Sequence, residues 1–455
     1  MSKPSIPKGT RDFGPSAMAR RNYIFDTIRA SFERYGFMPI ETPAMENLAT
    51  LTGKYGEEGD QLIFKILNNG DFLAKADADA LAVKDSKKLG FSISKKALRY
   101  DLTVPFARFV VMHQNDIAFP FRRYQIQPVW RGDRPGKGRY QEFFQCDADI
   151  IGTNSLVCEV ELVQLFDEVL SNLRIPDFSI KINNRKILAG LAEVAGVGDL
   201  LTDMTVALDK LDKIGAEKVM DEMRGRGISA DSIAKLQPLL ELGTDTEVNL
   251  QALAGLLTGN ETGEKGIEEL RYVLAEAERL GLRDAKLEFD PTLARGLNYY
   301  TGAIFEVKAN GVGIGSICGG GRYDDLTGIF GLKGMSGVGI SFGADRIYDV
   351  LEELDLFPAD ATRSTELLYI NFGAAEQGKC LEWLTAARKA GIRAEVYPSP
   401  AKLKKQMQYA NDKSIPWVVL AGSQEIEQGV VTLKHMESGE QETLSPEAVF
   451  AKLHP

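Results

Sequence analysis

Polar and apolar side chains alternate along two segments of the chain that lie close together in sequence. In residues 123–131 the apolar positions include Tyr124 and Ile126, and in residues 144–150 they include Phe144. A period of two is typical of a β-strand, so we expect two strands, each with one solvated face and one core face. The polar positions are Arg123, Gln125, Gln127, Arg131, Gln145, Asp147 and Asp149.

Longer patterns predict the elements around this hairpin. Apolar residues at helical spacing predict a helix over 16–35. Strands are expected at 98–104 and 178–183, and the polar stretch 70–97 is interpreted as a surface excursion. Gly319, Gly320 and Gly321 favour a tight turn or a bulge.

The pattern changes three more times toward the C-terminus. A long segment is mostly helical, Gly-rich strands follow it, and a short α/β alternation comes after a linker-like stretch. We therefore expect an α+β protein. The predicted parts are a core in two pieces, 1–183 and 285–355, a helical insertion domain at 184–284, a linker at 356–365 and a C-terminal α/β domain at 366–455.

Composition narrows the class of protein. The chain has 455 residues with 44% hydrophobic residues, enough for two to four domains with cores of their own. No run of 18 apolar residues occurs, and the N-terminus lacks the hydrophobic stretch of a signal peptide, so we expect no membrane association and a cytoplasmic location. The four cysteines lie far apart and form no C-x-x-C pair, and the three histidines are also scattered. We therefore expect neither a structural zinc site nor a histidine-based metal site.

The local charge of the hairpin is opposite in sign to the net charge of the chain. Residues 122–142 contain six Lys and Arg against two acids, a local charge of +4 in a chain whose formal net charge is −10. The loop also carries glycines at 132, 136 and 138 that allow it to close over a ligand. Guanidinium groups suit phosphate oxygens, so the hairpin is a candidate polyanion site, although an ordinary solvated hairpin would show the same alternation.

Several segments, in the same order, resemble the class II aminoacyl-tRNA synthetases of the histidyl type. RGDRPGKGRYQEFFQCDAD at 131–149 resembles motif 2, ETPAMEN at 41–47 resembles motif 1, and GVGISFGADRI at 337–347 resembles motif 3. LRYDLTVPFARF at 98–109 resembles the amino-acid-binding segment. LARGLNYYTGAIFEV at 293–307 resembles a segment peculiar to histidyl enzymes.

This resemblance implies a fold and a reaction. The fold would be an antiparallel-sheet catalytic core with a helical insertion domain and an α/β anticodon-binding domain. The reaction would join L-histidine to tRNA(His) through a histidyl-adenylate, with ATP as substrate and release of AMP and pyrophosphate. The resemblance also implies Mg²⁺ and a homodimer, although the sequence marks no acid cluster as metal ligands.

The resemblance also implies roles for individual arginines. Arg131 would bridge the amino-acid carboxylate and the α-phosphate, and Arg295 would place positive charge on the opposite side of that phosphate. Arg139 would hold the outer phosphates and Arg346 the γ-phosphate. Arg131 and Arg295 are thus the expected catalytic residues, because positive charge stabilises the pentavalent centre.

On the substrate side, the resemblance implies acceptors for an ammonium and for a ring N–H. The α-amino group would meet Asp101 and Thr103, alternating on the 98–104 strand, together with Gln145. Asp149 would accept from the imidazole, with Tyr300 and Tyr323 packed on the ring or bonded to it. The expected histidine site, which also includes Arg131 and Arg295, leaves Tyr299 on the opposite face as a core residue.

Contacts with tRNA are expected at local basic groups. The positions are Arg134, Lys137, Lys402, Lys404 and Lys405, and a solvated helix face is the alternative for the last three.

Two other functions fit parts of the pattern. One is a noncatalytic, histidine-binding regulatory paralogue of histidine biosynthesis, which usually lacks the C-terminal domain and the arginines retained here. The other is a synthetase-like sensor of uncharged tRNA, normally fused to a kinase, whose signatures do not occur in this chain.

Overall fold

The polar strands lie at the centre of a large, mostly antiparallel sheet. The computed structural model describes residues 3–294, 299–358, 361 and 365–454, without the side chains of 56–58 and 212–213. The strands of these residues are β1 Met38–Pro39, β2 Met45–Asn47, β3 Lys65–Ile66, β4 Lys96–Leu98, β5 Phe121–Trp130, β6 Glu142–Ile151, β7 Phe178–Asn184, β8 Lys286–Phe289, β9 Ala303–Ala309, β10 Cys318–Tyr323, β11 Gly337–Gly343, β12 Leu367–Tyr369, β13 Ala394–Val396, β14 Trp417–Leu420, β15 Val431–His435 and β16 Gln441–Leu444.

Helices surround the sheet and fill the connections. The α-helices of the described residues are α1 Pro15–Arg34, α2 Leu48–Leu51, α3 Gly56–Gln61, α4 Ala78–Ala82, α5 Ser86–Ile93, α6 Thr103–His113, α7 Val157–Asn172, α8 Arg185–Ala195, α9 Leu201–Leu208, α10 Leu211–Ile214, α11 Ala216–Gly225, α12 Ala230–Leu240, α13 Thr246–Leu256, α14 Glu261–Leu280, α15 Ala344–Glu353, α16 Ala374–Lys389, α17 Leu403–Asp412, α18 Ser423–Gln428 and α19 Pro446–Leu453. Short 3-10 helices lie at Gly198–Leu200 and Leu326–Phe330.

The register of the large sheet brings three polar strands together. Its order is β1-β5-β6-β11-β10-β9-β7-β8, antiparallel except where β1 meets β5 and β7 meets β8 at the edges. Asp149 of β6 lies opposite Arg123 of β5 on one side and Gly339 of β11 on the other. Asp147 lies opposite Ser341. The centre of the sheet therefore places carboxylates beside a guanidinium and beside positions with small side chains.

The polar face of β5 and β6 is buried. Arg123 is 0% exposed and Asp149 is 2% exposed. The ring of Phe106, from α6, lies over the Arg123 guanidinium with 4.2 Å from its central carbon to the ring centroid. The expectation of a solvated polar face is therefore wrong, because the alternation identifies which residues share a face and cannot identify what packs on it.

The segment expected as a strand over 98–104 is a turn into a helix. β4 ends at Leu98 and α6 begins at Thr103, so Asp101 and Thr103 do not alternate along one strand. The Asp101 carboxylate instead accepts from the backbone N–H of Val104 at 3.2 Å. Pro105 fits this first helical turn, where its missing N–H has no intrahelical partner to lose.

Other elements follow the sequence closely. The helix predicted over 16–35 is confirmed as α1, and α8 to α14 occupy the region of predicted helices between residues 184 and 284. Residues 70–97 contain α4 and α5, and β4 pairs with β2 and β3 in a small three-stranded sheet. The glycines at 319–321 lie within β10, so neither a tight turn nor a bulge forms there.

The chain forms two compact units. One contains residues 1–12 and 21–357, and the other contains residues 13–20 and 358–455. In the second unit a five-stranded sheet has the order β13-β12-β14-β15-β16. The finer boundaries expected for the insertion domain and the linker stay predictions. Among the described residues, no helix has the length and apolar character needed to cross a membrane.

Candidate active site

A cavity opens on the polar face of the central strands. Its empty volume is about 330 Å³, open solvent at its mouth included. The residues that line it are Asp101, Thr103, Gln145, Asp147, Asp149, Tyr299, Tyr300, Tyr323, Gly339, Ile340 and Ser341.

The structure brings together six residues that the sequence singled out for the amino acid. They come from the turn before α6, from β6 and β10, and from the segment before β9. Five others in the lining were not named as ligand contacts: Asp147, Tyr299, Gly339, Ile340 and Ser341. The six are Asp101, Thr103, Gln145, Asp149, Tyr300 and Tyr323.

Asp149 is held from two sides at the base of the cavity. Its Oδ1 accepts from the Tyr323 hydroxyl at 2.7 Å, and its Oδ2 lies 2.7 Å from Nη2 of Arg123. Burial raises the pKa of Asp149, although the charge of Arg123 and the hydrogen bond from Tyr323 act in the opposite direction. The charges of Asp149 and Arg123 therefore compensate each other in this buried site.

Asp101 has a similar network on the opposite wall. Its Oδ1 accepts from the Tyr55 hydroxyl at 2.8 Å and from the Val104 backbone, and its Oδ2 lies 3.3 Å from the Tyr299 hydroxyl. Burial raises the pKa of Asp101, while Tyr55, Val104 and Arg131 oppose that shift. The expectation that Tyr299 is a core residue is confirmed only in part, because its ring packs against the core while its hydroxyl reaches a carboxylate of the cavity.

Three acceptors in the cavity have no hydrogen-bond donor among the described residues. These are Oε1 of Gln145, Oδ1 of Asp147 and Oδ2 of Asp149, and the last of them is ion-paired with Arg123. Nε2 of Gln145 donates to the Ser341 hydroxyl at 3.0 Å. Burial raises the pKa of Asp147 to about 7; Arg123 opposes this shift and the charge of Asp149 adds to it. The alternation of polar residues already placed Asp147 on this face, so the sequence did contain the signal for it.

Glycines leave room for the cavity's side chains. A Cβ at Gly337 would lie 2.5 Å from Cε2 of Tyr323, and a Cβ at Gly339 would overlap Oδ1 of Asp149. A Cβ at Gly321 would lie 2.9 Å from Cδ1 of Tyr300. The small residues of β10 and β11 thus allow an aromatic or acidic side chain to lie flat against the sheet.

Three of the four arginines expected to bind phosphate, Arg131, Arg139 and Arg346, lie in or near the loop that joins β5 to β6. Nε of Arg131 donates to the Tyr100 carbonyl at 3.1 Å, and its guanidinium lies over the rings of Tyr100 and Phe143. Arg346 donates from Nε to the carbonyl of Gly138 at 2.8 Å, beside Arg139 in the chain. The Arg139 side chain is 59% exposed. Arg295 lies outside the described residues.

The basic residues expected to contact tRNA lie on the surfaces of their units. Lys137 forms an ion pair with Glu353 at 2.9 Å. The others are exposed: Arg134, Lys402, Lys404 and Lys405.

The part of the chain that the structure describes contains no preformed set of metal ligands. No three His, Cys, Asp or Glu side chains are grouped there as metal ligands. The carboxylates of the cavity are buried, and Asp101 and Asp149 already accept hydrogen bonds, which suits an organic cation better than a hydrated divalent ion.

Comparison with family models covers both units. Residues 74–347 match the model described as histidyl-tRNA synthetase. Residues 368–454 match the model described as an anticodon-binding domain.

Curated relatives match along nearly the whole length. The histidine–tRNA ligase of Christiangramia forsetii is 62% identical over 443 residues, 97% of each chain. That of Porphyromonas gingivalis is 58% identical over 448 residues, 98% of each chain. Among solved structures, the histidyl-tRNA synthetase of Nostoc sp. is 30% identical, with a TM-score of 0.84 over 100% of this chain and 99% of that one.

Proposed function

The chain belongs to the histidyl-tRNA synthetase family, and from that premise we propose how its residues divide the work of joining histidine to tRNA. The enzyme is a class II histidine–tRNA ligase. Its reaction activates histidine with ATP and transfers it to tRNA(His). The regulatory paralogue is not favoured, because the match to histidine–tRNA ligases extends through the anticodon-binding domain.

The observation that supports the residue roles is the cavity with its buried acceptors. Asp149, oriented by Tyr323 and Arg123, accepts the imidazole N–H, and Tyr300 and Tyr323 bound the ring. Asp101, Thr103 and Gln145 surround the α-amino group. An apolar amino acid would leave these buried polar groups unpaired, which is a strong ground for rejection.

The arginines bring two anions together for the activation step. The histidine carboxylate attacks the α-phosphate in line, so charge builds up on the phosphate oxygens without any need for a proton transfer. Arg131 bridges carboxylate and α-phosphate, and its fixed guanidinium plane is held by the Tyr100 carbonyl. Arg139 and Arg346 bind the outer phosphates, and Arg295 completes the positive charge around the α-phosphate.

Mg²⁺ would accompany ATP rather than occupy a protein cage. The ion commonly keeps water and phosphate oxygens as ligands and takes only one or two carboxylates from a protein. This fits the lack of a grouped ligand set among the described residues. Its contribution would be to neutralise phosphate charge, and the arginines supply the remaining stabilisation.

The tRNA and the partner subunit complete the proposal. We assign tRNA contacts to Arg134 and Lys137 near the acceptor end and to the lysines of α17 and its first turn near the anticodon. We also propose a homodimer in the cytoplasm, as the family resemblance implies. The basic residues of the second unit are Lys402, Lys404 and Lys405.

ATP–pyrophosphate exchange tests the amino-acid site without tRNA. We expect exchange with histidine alone among the twenty amino acids. Asp149→Ala should reduce the discrimination for histidine, because the ring would lose its fixed acceptor. Asp167→Asn is the matched control, since Asp167 is a buried carboxylate whose partners are the backbone N–H groups of residues 283–285. Unchanged selectivity in Asp149→Ala would remove Asp149 from ring recognition.

A further inference from the structure

The carboxylates of the cavity differ in what already bonds to them. Asp149 has Tyr323 on one oxygen and Arg123 near the other. Asp101 has Tyr55 and the Val104 backbone on one oxygen and the Tyr299 hydroxyl near the other. Both side chains are therefore oriented before a ligand arrives.

The carboxylate of Asp147 has fewer bonding partners than those of Asp101 and Asp149. Asp147 is 2% exposed and lines the cavity, and Ser341 forms a hydrogen bond with its carboxylate, yet its Oδ1 has no hydrogen-bond donor among the described residues. Oε1 of Gln145, two residues earlier on the same face of β6, is also without a donor there. A buried acceptor without a partner costs about 1–3 kcal/mol, more when it is charged, so a ligand that supplies donors to both atoms gains that energy back.

We propose that Asp147 is a further specificity-determining residue, which receives the α-ammonium of histidine together with Gln145. The inference rests on the proposed histidine site. An ammonium has three N–H donors and can reach two acceptors that are neighbours on one strand face. It also carries a full positive charge, and in this buried site Asp147 would add a second carboxylate to that of Asp101, whereas Gln145 is neutral.

The neighbouring groups support this assignment over a contact with the ring. A neutral imidazole offers a single N–H, and Asp149 is already fixed in place to accept it. Ser341, opposite Asp147 on β11, accepts from Nε2 of Gln145 and so turns the amide oxygen away from itself. Burial raises the pKa of Asp147 to about 7, and a cation bound beside it would favour the ionised form.

Three ligands distinguish the α-ammonium from the ring. Histidine and histidinol carry both groups, and 3-(imidazol-4-yl)propionate lacks the ammonium. We would measure their affinities by calorimetry for the full-length protein and for Asp147→Asn, at about pH 7.5, where imidazole is mostly neutral. We expect Asp147→Asn to weaken histidine and histidinol by about 10- to 100-fold, the size of a charged hydrogen bond, and to leave the propionate unchanged.

The other possible results for Asp147→Asn would each contradict the proposal in a defined way. An equal loss for all three ligands would overturn the assignment and place Asp147 against the ring, and an unchanged histidine affinity would overturn any contact. Asp167→Asn controls for the loss of a buried carboxylate and should bind histidine like the unaltered protein. Circular dichroism and thermal unfolding check that both variants fold. If the unaltered protein fails to bind histidine, the proposed function itself fails, and that result is distinct from every result for Asp147→Asn.

Discussion

Replacement of Asp147 by Asn should make the ligand-free enzyme more stable at alkaline pH. Burial raises the pKa of Asp147 from 3.8 to about 7, so the folded state holds a proton that the unfolded state has released between those two values. Stability contributed by this group therefore falls as pH rises from about 4 to about 7, and the full cost remains at higher pH. A shift of about three units corresponds to up to about 4 kcal/mol.

Neighbouring charges and one hydrogen bond modify the effect of burial on this pKa. The charge of Asp149 raises it, and Asp101 adds to that effect. Arg123 and a hydrogen bond with Ser341 lower it. Asn has nearly the same shape as Asp and no charge, so Asp147→Asn should remove the penalty without opening a cavity. The variant should therefore be more stable than the unaltered protein without ligand, but should bind histidine more weakly.

Urea unfolding at a series of pH values between about 5 and 9 measures this effect. The difference in unfolding free energy between Asp147→Asn and the unaltered protein should grow with pH and level off above about 7. Trp130 is the tryptophan of the first compact unit, so its fluorescence should be recorded in a background with Trp383 and Trp417 replaced by Phe, since a chain with two units need not unfold in one step. Asp167→Asn should instead destabilise at every pH, because its backbone partners lose a carboxylate acceptor. A pH-independent difference for Asp147→Asn would refute the reasoning.

Three further changes test separate parts of the structure. Gly339→Ala should abolish histidine-dependent exchange, because its Cβ would overlap the Asp149 carboxylate, whereas Gly255→Ala, with no atom within 4 Å of its Cβ, should retain it. Arg123→Met should lower the unfolding free energy by about 3–5 kcal/mol in a urea titration by leaving a buried carboxylate unpaired, and the double variant Arg123→Met/Asp149→Asn should recover part of it. Replacing three exposed lysines by Gln should raise the KM for tRNA and flatten its salt dependence, with pyrophosphate exchange unaffected; these are Lys402, Lys404 and Lys405.

The alternation of polar and apolar residues along β5 and β6 was sufficient to predict which side chains share the face that lines the site. It placed Gln145, Asp147 and Asp149 on one face, and the cavity contains all three. It could not show that most of this face is buried, because burial depends on other elements such as α6, whose Phe106 packs on Arg123. Periodicity is a property of one segment, and burial depends on a second segment that packs on it.

The turn before α6 shows a second limit. The apolar and polar residues at 98–104 fit a strand, but the segment is used to position Asp101 at the start of a helix. The contact between Tyr299 and Asp101 joins residues 198 positions apart, so no local pattern predicts it. The family resemblance did lead to Asp101, Tyr300 and Tyr323, because motifs record which distant residues are used together.

The glycines beside the cavity also limit where mutations that confer resistance to an inhibitor of this enzyme can arise. Gly321, Gly337 and Gly339 leave no room for even a methyl group, because the side chains of Tyr300, Tyr323 and Asp149 lie in the space that it would need. A substitution at these positions that excluded a histidine-like drug would displace the same groups that hold histidine. Resistance by single changes along this wall of the cavity would therefore come at the expense of protein synthesis, and resistant strains should carry their mutations elsewhere.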